Sequence, residues 1–89
     1  MVLGKVIGSV VCTLKDKSLE GKKLLLVKAI DLDGNLLDPF VVAVDTIGVG
    51  IGEKVLVVNG SSARMTDYSR DKSIDSVIVA KVDSMNVEE

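Results

Sequence analysis

The 89-residue sequence predicts a mainly β fold, a small barrel of about five strands with one short helix. Three observations carry that expectation. Valine and isoleucine dominate an apolar fraction of 47%, while aromatics make up only 2%. β-Branched side chains fit a pleated surface better than the preceding turn of a helix. The apolar runs are short and broken by glycine, and the dipeptides Asp33-Gly34 and Asn59-Gly60 fall between them, where tight turns are needed.

The first strand is expected from about Val2 to Leu14. Val2, Val6, Val10 and Cys12 then share one face and Lys5, Ser9 and Thr13 the other, with Ile7 and Val11 among the polar neighbours. Gly4 and Gly8 fall on the apolar face and mark bends or close backbone approach, which lets a sheet curl. Lys15 to Gly21 is polar and ends in glycine, so it reads as a loop before a second strand from Lys22 to Asp31. Asp33-Gly34 with Asn35 turns the chain into a third strand, from about Phe40 to Asp45. Pro39 stands at the start of that strand, where a missing amide donor is tolerated. Lys54 to Asn59 forms the fourth strand. Ser61 or Ser62 is placed to cap a short helix through about Tyr68, and Ser73 to Val82 forms the fifth strand. With no repeat or linker between them, these elements are expected to close into one barrel.

Length allows one domain, 1–89, and a chain this short buries only about 60 to 65% of its unfolded surface. A mean hydropathy of +0.40 is high for a small monomer, so part of its apolar surface is expected to face another chain. Eleven basic against thirteen acidic residues give a net charge of -2, which supplies no field to gather nucleic acid or anionic lipid. The lone Cys12 cannot form an internal disulfide, which points to a reducing, cytoplasmic setting; in its strand it reads as a small core residue. Lys5 interrupts the apolar N-terminus, which reads as a strand rather than a signal peptide, and no apolar run approaches the ~20 residues of a membrane span.

Histidine is absent, which removes the commonest general base and the commonest zinc ligand. Asp45 and Glu53 bracket a glycine-rich loop, but a solvated or hydrogen-bonded structural role is the simpler reading of both. Asp31, Asp33 and Asn35 alternate as in a calcium loop, yet Gly34 is fourth rather than sixth and Val42 stands where a glutamate is required. A hairpin turn explains them. Gly48-Val49-Gly50-Ile51-Gly52-Glu53-Lys54 fits neither a P-loop nor a dinucleotide fingerprint, for spacing in the first case and Glu53 in the second. Its alternate glycines permit positive φ or close packing of another backbone, and Val49 and Ile51 are expected to project to one side. Gly60-Ser61-Ser62-Ala63-Arg64 joins small residues, hydroxyls and a guanidinium, a set that suits a polar junction between subunits or a plain helix start.

Leu3-Gly4-Lys5-Val6, Ser18-Leu19-Glu20-Gly21, Val42-Ala43-Val44-Asp45, the Gly48-x-Gly50-x-Gly52-Glu53 loop and Gly60-Ser61-Ser62-Ala63-Arg64 occur in one order and spacing. Together they resemble the bacterial microcompartment vertex proteins of the EutN/CcmL family, over nearly the whole chain. The resemblance implies a five-stranded OB-like β-barrel with one short helix, a homopentamer, and a structural role in a shell of hexameric tile proteins. It implies no enzyme activity and no cofactor, metal, nucleic acid or membrane, and a location in a cytoplasmic bacterial microcompartment, a metabolosome in preference to a carboxysome. By the same resemblance Gly48, Gly50, Gly52, Glu53, Gly60, Ser61, Ser62, Ala63 and Arg64 lie at the subunit interface or the central opening. Ser73 before Ile74 and Asp75, where many family members have proline, and Lys81 in the last strand depart from the pattern. The rival reading is an OB-fold single-stranded nucleic-acid-binding module, which wants stacking aromatics and a basic groove where this chain offers Phe40 and Tyr68.

Overall fold

The computed structural model describes residues 1–13, 15, 17–60 and 76–88. Five strands, β1 (Val2–Val10), β2 (Lys23–Ile30), β3 (Leu36–Asp45), β4 (Lys54–Asn59) and β5 (Ser76–Lys81), close into a barrel in the order β1-β2-β3-β5-β4. All neighbours are antiparallel except β3 and β5, which run parallel through Val44↔Val77 and Asp45↔Ile78. This is a closed five-stranded barrel of the OB-like kind. A 3-10 turn at Lys17–Leu19 lies in the loop between β1 and β2. The short helix expected from Ser61 or Ser62 to Tyr68 lies outside the described residues.

Alternation along each strand fills the interior. Val6, Leu25, Val27, Ala43, Val55, Val57 and Ile78 are buried together, joined by Val49 from the loop after β3. A smaller cluster of Val44, Val58 and Val77 lies beside Leu19 and Leu24, so the 3-10 turn covers it. β1 and β2 approach closely at Gly4, where a Cβ would sit 2.5 Å from Val27 Cγ1 and 2.8 Å from the Lys28 carbonyl oxygen. That bears out the reading of Gly4 as a site of close backbone approach.

Strand ends depart furthest from expectation at β1 and β3. β1 stops at Val10, not Leu14: its pairing with β2 ends at Val10↔Leu24, and Val11 beyond it is almost fully exposed. Cys12 consequently lies half-buried after the strand, beside Lys15, Lys22 and Lys23, instead of in the core. β3 begins at Leu36 rather than Phe40, with Pro39 inside it. The β2–β3 register is irregular between Lys28 and Ile30, next to that proline, so the missing amide falls at a break in the ladder. β5 covers Ser76–Lys81, and its expected start at Ser73 lies outside the described residues.

Candidate functional site

The loop from Asp45 to Lys54 crosses from the parallel edge of the barrel to β4, and two carboxylates hold its backbone. Asp45 ends β3 and is only 9% exposed. Its Oδ1 accepts the amides of Ile47 at 3.0 Å and Gly48 at 2.9 Å, and its Oδ2 accepts that of Val49 at 2.9 Å. Three amide donors on one carboxylate tie down the backbone of the loop's first half. Thr46 Oγ1 donates to the Ile78 carbonyl, and Lys23 Nζ, opposite Asp45 on β2, donates to the Val49 carbonyl at 3.3 Å.

Glu53 holds the other half. Its Oε1 accepts the Gly50 amide at 2.6 Å and its Oε2 pairs with Lys81 Nζ at 2.7 Å. The Lys81 ammonium, with the Gly50 amide, holds the Glu53 carboxyl below the usual range, and Glu53 in turn raises Lys81. Lys81, a departure from the family pattern in the sequence, is thus the partner of a loop residue. The loop backbone also joins β1, since Gly52 N–H donates to the Val6 carbonyl and Val6 N–H to that of Glu53.

Gly48 and Gly52 take φ of +83° and +91°, values that side-chain-bearing residues rarely adopt. Gly52 occupies the third position of the turn Gly50–Glu53, where a type II turn demands positive φ. These turns overrule the expected alternation of Val49 and Ile51. Val49 is 2% exposed inside the barrel, whereas Ile51 is 69% exposed, because the loop is not extended and period two fails. Gly50 has no positive φ, and a Cβ there would meet only Glu53 Oε1, at an ordinary 3.5 Å. The conformation of the chain itself therefore does not require glycine at 50.

Neither carboxylate is placed as a free acid or base: both are engaged with backbone amides of the loop they bracket. Asp31 behaves similarly in the β2–β3 turn, where Oδ1 accepts the amides of Asp33 and Asn35 and Oδ2 accepts Asn35 Nδ2. The hairpin reading of Asp31, Asp33 and Asn35 stands.

Of the residues singled out in the sequence, the loop brings together Gly48, Gly50, Gly52 and Glu53. Gly60 follows β4, and Ser61, Ser62, Ala63 and Arg64 lie outside the described residues. The two flanks of segment 61–75 meet, since Asn59 faces Ser76 and Ser76 Oγ donates to Asn59 Oδ1 at 2.7 Å. Two surface features escaped the sequence reading. Phe40, 61% exposed, lines an apolar groove of about 280 Å³ with Val2, Val27, Ala29, Pro39 and Val57. Lys5, Lys28 and Lys54 stand in one row across three strands. Strand register assembles the row, by setting residues far apart in the sequence opposite one another.

The sequence profile of the family described as ethanolamine utilisation protein EutN/carboxysome matches residues 1–83. The chain is 43% identical to the carboxysome shell vertex protein CcmL of a Nostoc species, over 100% of this chain and 89% of that protein. It is 44% identical to the microcompartment shell vertex protein PduN of Salmonella typhimurium, over 97% of this chain and 99% of that protein. Among solved structures, the fold is similar to that of GrpN, a pentameric microcompartment shell protein from Rhodospirillum rubrum. The TM-score is 0.89 at 44% identity, over 99% of this chain and 100% of that one. The structure of Nostoc CcmL gives a TM-score of 0.92, also at 44% identity, over 99% of this chain and 93% of that one.

Proposed function

This chain belongs to the EutN/CcmL family, and from that premise we propose that five copies close into a ring that caps the vertices of a bacterial microcompartment shell. The observation that supports this most is the end-to-end match, at a TM-score of 0.89, with a shell protein described as pentameric. The physics is geometric. A flat sheet of hexagonal tiles encloses a volume only where five-fold defects bend it, and a contact repeated by a rotation that closes makes the required ring. The partners are four further copies and the hexameric tile proteins around them, within the bacterial cytoplasm. Catalysis, cofactors and nucleic acid have no part in this role. The repeating unit is the single domain 1–89.

The loop Gly48, Gly50, Gly52 and Glu53 and the segment Gly60, Ser61, Ser62, Ala63 and Arg64 form the subunit boundary or the central opening. For the loop, support comes from its clamped backbone and the exposed side chains of Ile47 and Ile51. A rigid apolar projection loses little entropy when a second surface covers it. Of the two kinds of shell among the relatives, the proposal is a metabolosome. PduN, 44% identical over 97% of this chain and 99% of its own length, is the relative that supports this reading.

Native mass spectrometry of the purified chain is expected to give the mass of five subunits, and co-expression with hexameric tile proteins to yield closed shells that stay open without it. A lone subunit at micromolar concentration, with shells indifferent to its presence, would remove the proposal. Rescue of a strain lacking PduN but not of one lacking CcmL is the expected result for shell type.

A further inference from the structure

Lys5 on β1 faces Lys28 on β2 on one side and Lys54 on β4 on the other. Directly opposed residues share a face, with Cβ atoms about 5 Å apart, and like charges so placed repel each other. Among the described residues none of the three has an ion-pair partner, while the nearby Glu53 is engaged by Lys81 and the Gly50 amide. The next row on the same wall is apolar: Leu3 faces Leu56, and both are half-buried. The outer wall of β2, β1 and β4 is thus a basic stripe bordered by aliphatic side chains, a surface that an acidic, partly apolar segment would relieve.

The chain carries such a segment after β5. Residues 82–89 read Val-Asp-Ser-Met-Asn-Val-Glu-Glu, with three acidic residues and no basic one. Residues 82–88 form no helix or strand, and Met85 and Val87 are exposed. The segment starts beside β4, where Val82 N–H donates to the Lys54 carbonyl at 2.8 Å. Even so, none of its described carboxylates pairs with a lysine of the row in the same chain.

We infer that the row Lys28–Lys5–Lys54 is the seat for the acidic segment 82–88 of a second copy of this chain. The inference rests on the ring proposed above. A cyclic assembly needs two unlike, complementary patches on every subunit, and the charge and apolar pattern of these two supply such a pair. Each subunit then offers its stripe to one neighbour and its segment to the other.

The test is a charge swap in the full-length chain. One variant carries Lys5→Glu and Lys28→Glu, the second Asp83→Lys and Glu88→Lys, and the third all four changes, with folding of each checked by circular dichroism. Where the first fails to fold, Lys5→Gln with Lys28→Gln replaces it. Dilution series by native mass spectrometry and sedimentation give the concentration of half-dissociation. Each double reversal is expected to raise that concentration by about tenfold or more, and the quadruple variant to bring it back to within about threefold of the wild type. Salt near 1 M, where screening acts within about 3 Å, is expected to erase much of the difference. A wild-type ring that neither double reversal weakens would overturn the inference and leave the ring standing. Weakening by both without recovery in the quadruple variant would also overturn it, since the two patches then do not meet. So would reversals at the row that spare the ring but abolish binding of hexameric tiles or of a labelled oligonucleotide. A wild-type chain without any ring would remove the ring proposal and the inference together.

Discussion

Two turns of this barrel are built with the same chemistry and placed in different surroundings. In the β2–β3 turn, Asp31 accepts the amides of Asp33 and Asn35, and Gly34 takes a φ of +87°. In the β3–β4 loop, Asp45 accepts the amides of Ile47, Gly48 and Val49, and Gly48 takes a φ of +83°. The first carboxylate is open to water, which can replace it. The second is nearly buried, and the loop it organises sends Val49 into the core. One local device therefore closes a hairpin in the first case and plugs a barrel in the second, and its energetic weight follows from burial.

The largest expected effect comes from removing the buried clamp. Asp45→Ala leaves three amides without their acceptor and loosens Val49, for a loss of about 3 kcal/mol in urea denaturation at fixed protein concentration. A loss no greater than that of Asp31→Ala would break the comparison. Backbone conformation should weigh alike in both turns: Gly48→Ala and Gly34→Ala are each expected to cost about 1 to 2 kcal/mol, since both residues have positive φ. Gly50→Ala, with ordinary φ and room for a Cβ, should stay within about 0.5 kcal/mol in fold stability. A bulky residue at Gly50 should weaken the ring, read by native mass spectrometry, more than the fold.

Glu53 sharpens the contrast through pH. Its pKa is lowered from the ordinary 4.5, first by Lys81 and then by the Gly50 amide. A lowered folded value means stability that is complete above the unfolded value and lost as pH falls through the folded one. Glu53→Gln is therefore expected to reduce stability at pH 7 and to flatten its decline below about pH 4.5, followed by thermal melts across that range. A steeper acid decline in the variant would contradict the pairing with Lys81. Asp31, lowered chiefly by the Asn35 amide, titrates in the same sense. Asp31→Ala should cost far less than Asp45→Ala, because water takes over its exposed hydrogen bonds.

Much of the fold was legible in the residues. Lys54–Asn59 was delimited as observed, and Lys23–Ile30 within one residue at each end, because apolar runs bounded by turn dipeptides carry local information. The Asp33-Gly34 turn was legible for the same reason. Val49 and Ile51 were not, since period-two reasoning holds only in extended chain and two positive-φ glycines break it. The place of Cys12 was not legible, because the β1–β2 ladder ends at Val10↔Leu24, two residues short of it, and the extent of a ladder is set by the partner strand.

The sequence by itself determined that this chain would make short, glycine-bounded strands and offer no histidine-based chemistry, since propensity, turn residues and composition are local properties. Tertiary structure alone decided that Asp45 and Glu53 would tie one loop from both sides, that Lys81 would reach Glu53, and that Lys5, Lys28 and Lys54 would share a row. The physical reason is closure. Once the sheet joins its own edge, residues far apart in the chain are held a few ångströms apart by register, and their charges then act on one another.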